Sequence, residues 1–315
     1  MPRRFREALA GPEPPEYATR SGRLEFARQM VDHKSNPFLA RVMANRVWGH
    51  LLGESIVPTP DNFGVLGRPP SHPELLDHLA ERFVAGGWSV KGLIREIVTS
   101  RTWRSSSKPL DARAEEEDPN NVLLHRARVR RLEGEVARDA ILAISGRLDR
   151  TLGGPPVPVF LTSFMTGRGR PKSGPLDGAG RRSVYLSVRR NFLSPMMLAF
   201  DMPIPTQPVG RRNVSNVPAQ ALILMNDRFV KQQAEIWAKR ILADPKLTPE
   251  ERIRRMYETA FARPPTDGEL SDAQAFLRQD AADMGLDDDA WQTHPDPWTD
   301  LGHVLWNVKE FIFIN

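Results

Sequence analysis

The stretch Ser71-His-Pro-Glu-Leu-Leu-Asp-His-Leu-Ala-Glu-Arg-Phe-Val-Ala-Gly-Gly87 holds a complete helix in its pattern. Ser71 and Glu74 stand in the S/T-x-x-E spacing of a capping box, in which each side chain satisfies a backbone N–H at the helix start. Leu75, Leu76, Leu79 and Phe83 recur at helical spacing and form one apolar stripe. Gly86-Gly87 closes it, because glycine readily takes the left-handed conformation that ends helices.

The same grammar extends in both directions. Thr248-Pro-Glu-Glu251 and Thr266-Asp-Gly-Glu269 repeat the box, and Pro249 also suits a first helical position. A short helix is predicted over 24–31. A longer one starts at Asn36-Pro37, with Asn36 as N-cap, and ends at Gly53. Leu93, Ile94, Ile97 and Val98 mark a helix from Val90 to about Ser100. Leu132, Val136, Ala140, Ile141, Ile144 and Leu148 mark another. Helical pattern resumes from about Pro218 to Leu242. A last amphipathic segment covers roughly 298–311.

Between these lies Gly153–Arg182, rich in Gly, Pro and Arg and without period, read as a long loop. Ser183–Val188 alternates and is the best strand candidate, with no identifiable partner. The expected fold class is mainly α: a multi-helical globular domain with an irregular Gly/Pro/Arg-rich insertion and minimal β-structure. Residues 1–20 are expected to be an irregular N-terminal arm. Residues 21–315 are expected to be one domain, with 153–182 as the candidate sub-boundary.

Composition bounds the function. At 40% hydrophobic and 26% charged, the chain can bury a sizeable core. Its apolar runs fall far short of a membrane span, and its first residues lack the apolar region of a signal peptide. The absence of cysteine excludes disulfides, thiolate metal sites, cysteine nucleophiles and covalent haem attachment. The net charge of +5 is uneven. Ten acidic residues face one basic residue, Arg278, between 266 and 300, whereas nine Lys/Arg face two Asp between 167 and 212. The basic character is therefore regional and mostly arginine, whose planar fork suits carboxylate, sulfate or phosphate.

Several strings carry a resemblance. They are Ser21-Gly-Arg-Leu24, Asn36-Pro37, Ala40-Arg-Val42, Asn45-Arg-Val-Trp48, Asp61-Asn-Phe-Gly64 and Ser71-His-Pro-Glu-Leu-Leu76. Gly87-Trp-Ser89, Arg130-Arg-Leu132, Arg138-Asp-Ala140, Gly153-Gly-Pro155 and Arg181-Arg-Ser-Val-Tyr185 follow, then Arg189-Arg-Asn191, Phe200-Asp201, Gln220-Ala-Leu222, Asn226 and Glu310-Phe311. In this order the chain, from about Pro2 to Asn315, resembles the planctomycete PSD-one domain, the C-terminal domain of unknown function of planctomycete-type cytochrome c proteins. The resemblance implies an exported protein, periplasmic or at the cell surface, with a role in polysaccharide handling or electron transfer. It also implies a haem module upstream, with a Cys-x-x-Cys-His motif. This chain looks like the terminal domain alone, so no cofactor is expected in it, and a cytoplasmic location stays compatible with the missing signal peptide.

The candidate ligand-binding residues are Asn45, Arg46, Trp48, Asp61, Asn62, Arg181, Arg182, Arg189, Arg190, Asn191, Asp201, Arg211 and Arg212. The arginines, with Asn213, read either as an anion site or as structural partners of carboxylates, which the acidic stretch 266–300 could supply. Asn45, Arg46, Trp48 and His50 share one helix. Trp48 could stack on a ring but reads better as a core anchor. Asp61-Asn62 reads as a polar site or, more simply, an Asx-turn. Glu133, Glu135, Arg138 and Asp139 read as helix-face ion partners rather than an acid/base pair. His72 and His78 are six apart, off a common helical face, and no metal site is expected. There is no Walker A, GxGxxG or GxSxG pattern. No reaction is identified, and the reading leans away from an enzyme. The leading expectation is a binding or interaction module for anionic polysaccharide or an acidic protein surface. The alternatives are an enzyme of unidentified reaction, such as a polysaccharide-directed hydrolase, and nucleic-acid binding.

Overall fold

The computed structural model describes residues 4–7, 11–14, 16–17, 21–34 and 36–314. The remainder of the expected N-terminal arm, and Ser35 and Asn315, lie outside the described residues. Within that arm, Arg4 bridges Glu16, and Phe5 is buried with its ring 5.8 Å from that of Phe26. Among the described residues there are thirteen α-helices and only a two-stranded sheet, so the fold is mainly α with minimal β-structure. The chain gathers into two compact units, Met1–Val129 and Arg130–Ile314, each with its own hydrophobic core. The stretch 153–182 lies wholly inside the second.

The first unit contains α1 (Arg23–Val31), α2 (Phe38–Leu52), α3 (Pro73–Ala85), α4 (Val90–Val98) and α5 (Ala112–Glu117). The stripe of the 71–87 stretch is realised: Leu76, Leu79 and Phe83 of α3 are buried against Ala44, Val47 and Trp48 of α2 and Leu93 and Ile97 of α4. The capping box expected at Ser71 does not form. Its backbone N–H and its hydroxyl both reach the Ile56 carbonyl, at 2.9 and 3.3 Å, so the hydroxyl is engaged across the loop rather than at the helix start. α3 therefore begins at Pro73, without a side-chain cap. α2 begins at Phe38, whose N–H is accepted by the buried Asn36 side chain at 3.3 Å, and ends at Gly53 with φ +86°.

The second unit contains β1 (Arg130–Arg131), α6 (Gly134–Ser145), α7 (Pro195–Ala199), α8 (Pro218–Asn226), α9 (Arg228–Leu242), α10 (Pro249–Phe261), α11 (Asp267–Asp283), α12 (Pro295–Asn307), α13 (Lys309–Ile312) and β2 (Phe313–Ile314). β1 and β2 pair antiparallel, Arg130 opposite Ile314. Trp237 of α9 stacks on Trp306 of α12 at 5.2 Å and 13°, both buried. Gly302 lets them close: a Cβ there would sit 3.1 Å from the Trp237 ring. The helix expected to run unbroken from 218 to 242 divides at Asp227, which is extended and caps α9 by accepting the Phe229 N–H at 2.8 Å. The strand expected at Ser183–Val188 is instead a 3-10 turn at Ser183–Tyr185 with an isolated bridge from Leu186 to Val157. Among the described residues no neighbouring strand offers the alternating ladder that its side-chain pattern would require.

Both remaining capping boxes form, at Thr248/Glu251 and Thr266/Glu269. Glu269 is also gripped by Arg263, Nη2 to Oε1 at 2.7 Å and Nη1 to Oε2 at 2.8 Å, and Arg263 holds Glu310 of α13 at 2.6 Å. The Arg263 hydrogen bonds and the Thr266 backbone N–H lower the Glu269 carboxyl to about 2. A carboxyl depressed on folding contributes stability above its ordinary value of 4.5, and that contribution is lost as pH falls toward about 2. Thermal unfolding of the full chain should therefore show a larger gap between the natural protein and Glu269→Gln at pH 7 than at pH 3. A gap that is the same at both pH values would show that the clamp does not act through the carboxylate charge.

Candidate functional site

In the first unit the expected polar candidates are held by the fold. Asn45 is fully buried and bonds the Val57 backbone on both sides, accepting its N–H at 2.7 Å and donating to its carbonyl at 3.1 Å. Trp48, 6% exposed, is a core anchor. Arg46 and Asp61 are exposed. Asn62 closes an Asx-turn by accepting the Gly64 N–H at 3.0 Å. These five residues do not converge on one site.

In the second unit many of the arginines are tied into the structure around α6. Arg138, 4% exposed, donates to the carbonyls of Asp177 and Arg181 at 2.6 and 3.0 Å and to the Ser183 hydroxyl at 3.1 Å. Its guanidinium lies 5.4 Å from the Phe229 ring centre. Burial pulls its pKa down, and the nearby Asp139 and Asp177 oppose that. Asp139 accepts the Ser183 N–H and hydroxyl, both at 2.7 Å, and lies 3.6 Å from Arg182. Arg181 bonds the Thr151 and Gly153 carbonyls, pairs with Asp149 at 3.4 Å and covers the Tyr185 ring at 4.2 Å. Arg212 forms a bidentate pair with Glu135 at 2.8 and 2.9 Å. Burial pushes the Glu135 carboxyl up, but the Arg212 hydrogen bonds outweigh it and hold the group below the ordinary range. Asp201, with φ +61°, accepts from Arg131 at 2.6 Å and from the Ser215 N–H and hydroxyl. Arg211 is exposed. The carboxylate partners of Arg181, Arg182 and Arg212 come from residues 133–149, not from the acidic stretch 266–300.

Two basic loops rise from a common base. The Val157 N–H bonds the Tyr185 carbonyl at 2.8 Å, and the Ser187 N–H returns to the Val157 carbonyl at 2.9 Å. On the other side the Gly174 N–H bonds the Val159 carbonyl at 3.0 Å, and the Leu161 N–H bonds the Ser173 hydroxyl at 3.0 Å. Gly174 permits this approach, because a Cβ there would collide with the Pro158 carbonyl. Val159, Leu161 and Phe192 bury one another above this base with Met165 beside them. The tips meet, since a Cβ on Gly167 would lie 3.6 Å from the Phe192 ring. One loop presents Arg168, Arg170 and Lys172. The turn presents Arg189, Arg190 and Asn191. All are exposed, and neither loop contains Asp or Glu. Arg170 reaches the Thr162 carbonyl at 3.2 Å. Among the described residues, no ion pair engages Arg168, Lys172, Arg189 or Arg190.

Reading the sequence placed Arg189, Arg190 and Asn191 among the candidates but not Arg168, Lys172 or Phe164. Phe164 is 92% exposed in the same loop. The usable signal was an aromatic residue inside a basic Gly/Pro run free of acid. A cavity of about 330 Å³ lies beside this base, with Glu135, Asp139, Arg182 and Arg212 on its polar wall and Val136, Leu193 and Met197 on its apolar one. Among the described residues no three His, Asp or Glu side chains converge as a metal site would require.

The family model described as PSD1, Protein of unknown function (DUF1553), matches residues 22–277, which spans parts of both units. No curated protein and no solved structure matches the chain.

Arg138 should control how firmly the basic loops are mounted. Arg138→Lys keeps the charge but cannot span three acceptors, and should cost about 2–3 kcal/mol in denaturant unfolding. Trypsin should cut faster after Arg168 and Lys172 in that variant, the bond after Arg170 being protected by Pro171. Unchanged cleavage with unchanged stability would show that the loops are mounted without it.

Proposed function

The chain belongs to the PSD1 family of proteins of unknown function, and for this member we propose a binding module that holds an anionic polysaccharide on its two basic loops. The carrying observation is the division among the arginines. Arg138, Arg181, Arg182 and Arg212 lie within ion-pair or hydrogen-bond reach of Asp, Glu or backbone carbonyls, whereas Arg168, Lys172, Arg189 and Arg190 face solvent together with no acid in either loop. Guanidinium groups so placed match sulfate and carboxylate oxygens in pairs. The exposed Phe164 offers a flat apolar face to a sugar ring. The resemblance to chains of exported proteins favours a polysaccharide over nucleic acid and supports a periplasmic or cell-surface location.

A hydrolytic reading draws no comparable support. Such chemistry needs a carboxyl held up as a proton donor beside an ionised one. In the cavity beside the loops, Glu135 is held below the ordinary range by Arg212, and Asp139 is engaged by Ser183.

The natural protein should be retained on immobilised heparin at low ionic strength and released by salt, since exposed charge contacts are screened. Arg189→Ser combined with Arg190→Ser should weaken binding by about tenfold or more, with unchanged thermal unfolding. Absence of retention at low salt would sink the reading. Retention on single-stranded polynucleotide but not on heparin would transfer the surface to nucleic acid.

A further inference from the structure

The cavity of about 330 Å³ beside the base of the basic loops is lined by polar groups that the fold itself leaves unused. Ser187 and Ser194 are among them, and within the described residues neither hydroxyl has a hydrogen-bond partner. Ser194 precedes α7 without capping it. Asp139 engages the Ser183 N–H and hydroxyl through one carboxylate oxygen, while its other oxygen faces Arg182 at 3.6 Å, beyond hydrogen-bond reach. Glu133 stands at the start of α6, where its side chain caps nothing. It lies 3.4 Å from an Arg212 nitrogen that Glu135 already holds at 2.8 Å. Val136, Leu186, Leu193 and Met197 supply an apolar wall. A concave volume of this size, apolar on one side with a few free polar groups on the other, has the make-up of a small-molecule pocket.

The charge in this pocket is unequal. Glu133, Glu135 and Asp139 stand against Arg182 and Arg212, so one negative charge is uncompensated. Glu135 and Arg212 satisfy each other as a bidentate pair at 2.8 and 2.9 Å, which leaves Glu133 as the carboxylate open to a new partner. An acidic ring entering here would be repelled, whereas an ammonium group would restore the balance through a charge-assisted hydrogen bond. We infer that the pocket holds one amino-sugar ring with a free amine, its ammonium on Glu133, its hydroxyls on Ser187, Ser194 and Asp139, and its C–H face on the apolar wall. The inference rests on the polysaccharide reading for the ligand being a sugar, and it names which sugar the chain must contain. Ser187 and Val188 line the pocket and lead directly into Arg189 and Arg190. One polysaccharide can therefore lay an amino sugar in the pocket and its anionic groups on the turn.

The test is titration calorimetry of the full chain with D-glucosamine, D-glucose and N-acetyl-D-glucosamine at about pH 6, where a free amine carries its proton. Glucosamine should bind with a Kd in about the millimolar range, and the two uncharged sugars about tenfold more weakly or worse. Glu133→Gln should bring glucosamine down to the level of glucose, about tenfold, with unchanged thermal unfolding. Ser187→Leu, which removes a hydroxyl and takes up space in the pocket, should weaken all three. Equal binding of glucose and glucosamine would overturn the inference, as would glucosamine binding that survives Glu133→Gln. Retention on heparin without any binding of glucosamine would overturn the pocket and leave the loop reading standing. Glucosamine binding without retention on heparin would support the pocket and sink the loop reading alone.

Discussion

Arg138 carries a guanidinium into the interior of the second unit, and the irregular third of that unit is organised around it. An unpaired buried charge would be costly, so the group must find acceptors. It finds them in the carbonyls of Asp177 and Arg181 and in the Ser183 hydroxyl, all 39 to 45 residues away in the chain. Those contacts pin a Gly/Pro/Arg segment with almost no regular structure against α6 and, through Phe229, against the start of α9. Gly178 sits where a Cβ would press on the same guanidinium. The segment that cannot form a sheet or helix of its own is thus ordered from the helical side.

That anchoring separates two populations of arginine with opposite roles. Those near the base, Arg181, Arg182 and Arg212, are drawn into pairs with Asp149, Asp139 and Glu135, where their charge is neutralised locally. Those at the loop tips stand in loops that contain no Asp or Glu, and among the described residues they form no ion pair. The proposed polysaccharide surface depends on this difference in position, since all are the same residue type. The small cluster of Val159, Leu161 and Phe192 keeps the two tips together.

The first unit uses the same device without charge. Asn45 is fully buried and satisfies both backbone groups of Val57, which sets where the chain leaves α2 and begins the loop to α3. The Asx-turn at Asn62 and the close contact at Gly67 then complete a loop with a defined tip. In both units an inward polar side chain organises irregular backbone by meeting hydrogen-bond demand that secondary structure leaves open.

Much of the helical scaffold was legible in the sequence. The boxes at Thr248 and Thr266 and the stripe of α3 depend on residues three or four apart and the stop at Gly53 on one glycine, and these local patterns are kept in the fold. The box at Ser71 failed because its hydroxyl found Ile56, fifteen residues back. The run from 218 to 242 broke because Asp227 bonds Phe229 as a cap, a choice that periodicity averages over. Of the candidate site, the sequence determined that arginine is concentrated between residues 167 and 212 and that the segment is irregular. Only the tertiary structure decided which arginines are neutralised and which face solvent. Pairing depends on distances between groups as far apart in the chain as Glu135 and Arg212, and those distances exist only once the cores have packed.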